Sequence, residues 1–287
     1  MSRALAIDIG GTKTLVGLVE GGRVIEQRRS ATNLAAGAEG WLDAIYEATR
    51  GWKGFDCVGA AVTGVIMDGR WSAVNPEILP VPDAFPLQRA LADRFAAPAA
   101  CFNDAQAAAW GEHTFGAGQN RDLVFVTIST GIGGGAVVGG RLLVGRSGLG
   151  GSAGQVRAGL DLAAPRVEDV CSGRWMAGAA AAAGRPVDAE GVFRAAAQGE
   201  SWAQKILSTS VDAAANLLVN LQLLFDPPQI VIGGGIGLAP GYLAALQDRL
   251  ARQPAILRPD LKPAALGAAS SLIGAADLAL NERPLKE

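Results

Sequence analysis

A short apolar run, Ala4-Leu5-Ala6-Ile7, ends in an acid and paired glycines, Asp8-Ile9-Gly10-Gly11-Thr12-Lys13, and Thr14–Val19 then resumes an apolar, β-prone stretch. That succession reads as strand, tight turn, strand. Glycines carry no Cβ, so their backbone N–H groups can approach an anion, and Thr12 and Lys13 add a hydroxyl and a cation. An acid at a strand end cannot bind phosphate directly, but it can hold a hydrated Mg2+ that does. The motif is neither a P-loop nor the G-x-G-x-x-G dinucleotide fingerprint, and taken alone it is equally a hairpin turn with solvated polar side chains. The design recurs. Leu123–Ile128 leads into Ser129-Thr130-Gly131-Ile132-Gly133-Gly134-Gly135 and then Ala136-Val137-Val138, and Ile230–Ile232 leads into Gly233-Gly234-Gly235. Glycine turns after three separate strands, spread over both halves of the chain, indicate two similar α/β lobes with a nucleotide between them, because ligands in such folds collect at strand ends.

Between these turns the chain alternates strand and helix. Val24–Arg29 reads as a third strand, and residues 38–50 place Ala38, Trp41, Leu42, Ile45 and Ala48 at the spacing of an amphipathic helix. Val58–Val62 is a buried strand stopped by Thr63-Gly64. Gly69–Val74 is read as its companion, leading to a loop at Asn75-Pro76. Pro86–Phe95 predicts a helix with proline at its first position. Ala99–Phe102 is a strand ending at Asn103-Asp104, and Ala105–Glu112 an alanine-rich helix. A long helix at Ala203–Phe225 stops at Asp226-Pro227-Pro228, and a last one spans Gly267–Ala279. Residues 145–166, rich in glycine and alanine, read as a mobile surface loop.

The 287 residues carry 25 basic and 27 acidic side chains, 25 − 27 = −2, with no extended basic stripe. Nucleic acid is therefore not an expected partner. No apolar segment reaches the length of a membrane span, and Asp8 interrupts the first apolar run too early for a signal peptide. Cys57, Cys101 and Cys171 are scattered and lack metal-ligand spacing, which fits a reduced, cytoplasmic setting. The sole histidine, His113, reads as a surface or packing residue, and the tryptophans as core or lobe-interface residues.

Taken together, DIGGTK at 8–13, NDAQAAAW at 103–110, STGIGGG at 129–135 and the glycines at 233–235 resemble the ROK sugar kinases of the actin/Hsp70/hexokinase superfamily. Within that family the likeness is strongest to bacterial N-acetylmannosamine kinases, through TGVIMDG at 63–69, Asn75-Pro76, Phe85-Pro86-Leu87 and the long form of the Asn-Asp motif. The resemblance implies an α/β, two-lobed actin/Hsp70/hexokinase-like (ribonuclease H-like) fold with the active site in the interlobe cleft. It places residues 1–116 with a C-terminal helix at about 268–287 in one lobe, and 117–267 in the other. It makes Asp104 the base that takes the proton of the sugar 6-hydroxyl, and Asn103 a ligand of the ring hydroxyls. Gly10, Gly11, Thr12 and Lys13 match the first phosphate loop, and Asp8 the acid that anchors Mg2+ through water. Thr130, Gly131 and Gly133 match the second phosphate loop, and Gly234 and Gly235 lie where the family holds adenosine. Glu168 matches a sugar-contacting glutamate, and Thr63, Gly64 and Asn75 are further sugar-pocket candidates. A carboxylate in hydrogen-bond reach of a sugar alcohol orients it and accepts its proton, while metal and backbone N–H groups stabilise the transferring phosphoryl group. The residue types also admit plainer readings: Asp104 is placed to cap the helix that follows, and Glu168 is a first-turn acid favoured by a helix dipole.

The chain departs from the family pattern after Ala153-Gly154. Gln155 stands at the first acidic position, Ala158 where a metal-binding histidine is usual, and the cysteine cluster that should precede Glu168 is absent. No structural zinc is expected. Leu149, Val156 and Leu160 are expected to hold the segment by packing, with Gln155 and Glu168 giving polar contacts to the sugar. The implied activity is ATP-dependent phosphorylation of N-acetylmannosamine at O6, in sialic acid catabolism, by a cytoplasmic homodimer that needs ATP and Mg2+. A glucokinase or N-acetylglucosamine kinase, a sugar-sensing regulator and a degenerate binding protein are the alternatives. A regulator would carry an N-terminal helix-turn-helix, whereas this chain enters its first strand by Ala4.

Overall fold

The computed structural model describes residues 2–76, 79–159 and 161–281; Leu160 and residues 282–287, which enter two of the expectations above, lie outside them. Strands β1 (Arg3–Ile9), β2 (Lys13–Glu20) and β3 (Arg23–Ala31) form an antiparallel meander. Helix α1 (Gly37–Ala48) lays Ala38, Trp41, Leu42 and Ile45 on it. Then come β4 (Cys57–Val62), the small hairpin β5 (Val65–Met67) and β6 (Arg70–Ser72), α2 (Leu87–Phe95), β7 (Ala99–Asn103) and α3 (Asp104–Phe115). The first sheet has the order β3-β2-β1-β4-β7, with β4 and β7 parallel to β1.

The second half repeats the plan. Strands β8 (Leu123–Ile128), β9 (Ile132–Val138) and β10 (Arg141–Leu142) form an antiparallel meander. Helices α4 (Glu168–Cys171), α5 (Gly173–Ala182), α6 (Ala189–Ala197) and α7 (Ser201–Phe225) follow, then β11 (Ile230–Gly233), α8 (Tyr242–Leu250), β12 (Leu261–Pro263) and α9 (Ser270–Asn281). Its sheet has the order β10-β9-β8-β11-β12, with β11 and β12 parallel to β8. Two sheets of matching order, each starting with an antiparallel meander that carries a glycine turn, give the expected two-lobed α/β architecture. Among the described residues no helix is long and apolar enough to cross a membrane.

Helix α3 packs on β8 and β9 of the second sheet and, on the side of the first, crosses α9. Gly111 and Gly274 face each other at their crossing: a Cβ on Gly274 would lie 1.8 Å from the Ala107 carbonyl oxygen, and one on Gly111 2.4 Å from that of Ser270. Only glycine permits backbones so close. Helix α9 also covers the face of the first sheet that presents Ala4, Ala6, Ala61 and Phe102. The wholly buried Glu112 of α3 satisfies both of its oxygens there: Oε2 accepts from Ala117 N and Ala265 N, Oε1 from Leu266 N and Ser270 Oγ. One carboxylate thus ties down the chain where it leaves the first sheet and where it returns.

Several expectations are corrected. Arg70–Ser72 pairs with Val65–Met67 in a separate hairpin rather than with Cys57–Val62, whose edges are taken by β1 and β7. Pro86 precedes α2 as its cap residue rather than opening it. Leu149 and Val156 are exposed and do not pack the 145–166 segment. It is held instead by Gln106, whose Nε2 donates to the carbonyls of Gly148 and Gly150, and by close backbone contact of Gly151 with Gly135. Of the two readings of His113, packing holds: it is buried, its Nδ1 bonded to the Arg121 carbonyl.

Candidate active site

The first glycine turn is set by strand register. Ile9 pairs with Thr14, so Gly10–Lys13 must reverse the chain, and Gly10 N donates to Lys13 O at 3.0 Å. The end of β3 braces the turn: Thr32 Oγ1 donates to Gly10 O at 2.7 Å, and Thr32 N to Thr12 O at 3.2 Å. Thr12 is exposed, while Gly10, Gly11 and Lys13 are half-buried. Asp8, on β1, accepts a 2.6 Å hydrogen bond at Oδ2 from Ser271 Oγ near the start of α9.

Asp104 stands where β7 becomes α3. The cap is Asn103, correcting the expectation for Asp104: Asn103 Oδ1 accepts from Ala105 N and Gln106 N, both at 3.0 Å, in the geometry favoured for this residue type. Asn103 Nδ2 donates to Gly64 O at 2.9 Å, so both ends of the expected ring-hydroxyl ligand already serve the fold. Asp104 is the first helical residue. Its Oδ2 accepts from Thr63 Oγ1 at 2.8 Å and its Oδ1 from Ala105 N at 2.8 Å. Thr63 is itself fixed, its N–H on Ile9 O at 3.1 Å and its carbonyl accepting from Trp71 Nε1 at 3.0 Å.

Two carboxyls therefore share a poorly solvated corner at the strand ends. Desolvation, then the nearby Asp104 charge, pushes Asp8 up to about 7, against the lowering pull of Ser271 and Lys13. Desolvation also raises Asp104, against the hydrogen bonds from Thr63 and Ala105. Adjacent carboxyls that oppose each other's ionisation are the donor chemistry that suits a hydrated divalent cation, which would restore both to the charged form.

In the metal-free protein this burial makes stability depend on pH. The folded pKa of Asp8 lies above its ordinary value, so its protonation favours the fold at low pH, and that contribution is lost as pH rises through about 7. Asp8→Asn mimics the neutral acid. Its stability is expected to match wild type near pH 4 and to exceed it progressively up to pH 8, by at most about 4 kcal/mol at 1.4 kcal/mol per unit. Urea unfolding in chelator at several pH values measures the difference, and a difference independent of pH would refute the shift.

The second glycine turn packs between the starts of α3 and α5. Ser129 N donates to Gly131 O at 2.9 Å, and the carbonyls of Ser129 and Thr130 accept from Gly173 N and Arg174 N at the start of α5. A Cβ on Gly133 would lie 2.8 Å from that of Ala105, the residue after Asp104, so this turn abuts α3. Gly234 has φ +83° and sits under the Ile128 carbonyl, whereas Gly235 faces open space. Glu168 is buried, and its Oε1 accepts from Gln155 Nε2 at 3.1 Å. Its Oε2 lies 3.3 Å from where a Gly131 Cβ would be. Thr63, Gly64, Asn103 and Asp104 thus form one bonded group, and Gln155 and Glu168 a second beside Gly131. Asn75 stands on the loop beyond β6, its carbonyl accepting from Leu79 N at 3.3 Å.

The residues do not suit zinc. Ala158 has only backbone to offer, and Cys171 is buried with its thiol donating to Val167 O and pushed up to about 12 by desolvation. Among the described residues no group of three or more His, Cys, Asp or Glu is placed to hold a metal ion. Sequence reasoning missed Ser271, Thr32, Trp71 and Arg166, each supplying a hydrogen bond or ion pair to a site residue.

A profile of the ROK family matches residues 4–282. The bifunctional enzyme NanE/NanK of Brucella melitensis biotype 1 is 46% identical over 279 residues, covering 97% of this chain and 54% of that protein. The chain thus spans about half the length of that relative. The N-acetylmannosamine kinase of Escherichia coli O157:H7 is 38% identical over 287 residues, covering 97% and 99% of the two chains. Among solved structures, a ROK family glucokinase from Streptomyces griseus in complex with glucose and AMPPNP superposes with a TM-score of 0.84 at 29% identity, covering 98% of this chain and all of that one.

Proposed function

The chain belongs to the ROK family, and on that premise we propose that it is an ATP-dependent kinase that phosphorylates N-acetylmannosamine at its 6-hydroxyl, giving N-acetylmannosamine 6-phosphate. The observation that carries this reading is the Asp104 carboxyl, held by Thr63 and Ala105 beside Asp8 and between two glycine turns. Likeness at 38% over nearly the whole length of an N-acetylmannosamine kinase supports the choice of sugar.

In this reading Asp104 orients the 6-hydroxyl and takes its proton as the sugar oxygen bonds to phosphorus and the bond to the departing diphosphate oxygen breaks. Burial helps. A base whose pKa is raised by desolvation accepts the proton more readily than a solvated carboxylate. Asn103 and Gly64 shape the floor of the sugar pocket, with Thr63 aligning the base and Gln155, Glu168 and Asn75 lining its sides. The turn Gly10–Lys13, with Thr130, Gly131 and Gly133 opposite, cradles the phosphates by backbone N–H groups, and Gly234 and Gly235 make room for adenosine. Asp8 would hold Mg2+ through water, and the bound ion supplies neutralisation of phosphate charge. The lobe division falls near residue 116, with the chain from about 268 returning to the first lobe, which the seat of α9 on the first sheet supports. The reading goes with a cytoplasmic homodimer.

A coupled ADP-release assay over hexoses and N-acetylhexosamines tests the substrate. The highest kcat/KM is expected for N-acetylmannosamine, and a preference for glucose would move the chain to the glucokinase reading. Activity is expected to need Mg2+ but to survive a zinc-selective chelator. Stoichiometric zinc whose removal abolishes activity would overturn the zinc-free part of the proposal.

A further inference from the structure

Residues 156–159 and 161–167 fold back on each other as a short paired excursion. Ala158 N donates to Pro165 O, Val167 N to Val156 O, and Arg157 bridges Arg166. Gln155 and Glu168 flank its base and are hydrogen-bonded to each other. Arg166 lies beside them and contacts three side chains at once. Its Nε and Nη2 hold both oxygens of Asp169 at 2.7 and 2.9 Å, and its Nη1 lies 3.3 Å from Gln155 Oε1 and 3.2 Å from Glu168 Oε1. Glu168 is buried, so its carboxylate needs both charge compensation and hydrogen bonds. Arg166 and Gln155 supply them at Oε1 only, which turns Oε2 toward Gly131 and the glycine turn.

We propose that Arg166 is the positioning residue of the sugar site: its guanidinium, locked by the Asp169 fork, closes the base of this excursion and presents Glu168 Oε2 as an acceptor for a sugar hydroxyl. The inference rests on the kinase reading above and adds the group that makes Glu168 usable. Planar bidentate pairing pre-organises an arginine in a way an ammonium cannot reproduce. A carboxylate stripped of its one ionic partner in a buried site would no longer hold a single orientation.

The test is steady-state kinetics on Arg166→Met, Arg166→Lys and Gln155→Ala, with thermal melts as the fold control. Arg166→Met is expected to raise the sugar KM about 10- to 100-fold, the scale of a lost charged hydrogen bond, with kcat within about threefold and the ATP KM unchanged. Arg166→Lys, which keeps the charge and loses the fork, is expected to fall between, and Gln155→Ala to raise the sugar KM by less. A sugar KM unchanged in a folded Arg166→Met overturns the proposal, as does an equal rise in the ATP KM or a fall confined to kcat. Should Arg166→Met not fold, an unchanged sugar KM in both Arg166→Lys and Gln155→Ala overturns it equally. Wild-type protein inactive on every sugar tried would instead remove the kinase reading, so the two failures are distinct.

Discussion

Asp104→Asn is expected to lower turnover of the sugar by about two to four orders of magnitude, the usual worth of a general base, while leaving sugar affinity and fold intact. The substitution is nearly isosteric. The asparagine oxygen can still accept from Thr63 Oγ1 or Ala105 N, and α3 keeps its cap, because that cap is Asn103. A loss of stability therefore cannot masquerade as a loss of chemistry. ADP release gives kcat, calorimetry gives sugar affinity, and circular dichroism gives the fold. Near-normal turnover in a folded Asp104→Asn protein would remove Asp104 as the base. Loss of sugar binding with it would make the residue a ligand rather than a base.

The largest effect on stability is expected at the helix crossing. Gly274→Val should destabilise the protein by at least about 3 kcal/mol, lowering Tm by of the order of 6–12 °C, and can prevent folding outright. The cause is geometric: the new Cβ would stand 1.8 Å from the Ala107 carbonyl oxygen and 2.9 Å from Gly111 N, all backbone, so no side-chain rotation relieves it. Gly178→Ala is the control. That glycine lies in α5 with nothing within 4 Å of its would-be Cβ, so alanine there should be neutral or stabilising by up to about 1 kcal/mol. Equal melting of the two variants would show that the crossing tolerates separation. The crossing also bears on activity, because α3 begins at Asp104 and α9 carries Ser271 on Asp8. Gly274→Ala brings the same Cβ and should also destabilise the crossing, losing turnover at temperatures where it is still folded.

What was legible in the sequence was what local chemistry determines. Alternation of apolar runs with glycine turns gave the first meander and the β8–β9 hairpin of the second, whereas the short strand Arg141–Leu142 carried no such signal. Tertiary pairing was less legible. Gly69–Val74 has strand composition, but nothing local says that its partner is Val65–Met67 rather than the neighbouring strand. Asn103 and Asp104 both suit a helix start, and a single residue of offset decided that Asn103 caps while Asp104 accepts from Thr63 Oγ1. Leu149 and Val156 are apolar yet exposed, because polar and glycine backbone contacts from Gln106 and Gly135 hold their segment. Ser271 reaches Asp8 across 263 residues of sequence, and Arg166 acts only once the excursion has folded back on itself; no spacing rule encodes either.

The seat of α9 on the first sheet has a consequence for the order in which the molecule can be made. Ala4, Ala6, Ala61 and Phe102 emerge early in synthesis, but the helix that covers them comes from residues 270–281. Until then one face of β1, β4 and β7 stays wet, and Glu112 lacks the Ala265, Leu266 and Ser270 donors that neutralise its burial. The second sheet, by contrast, has all five of its strands between Leu123 and Pro263 and needs none from outside that span. The lobe that is begun first is completed last.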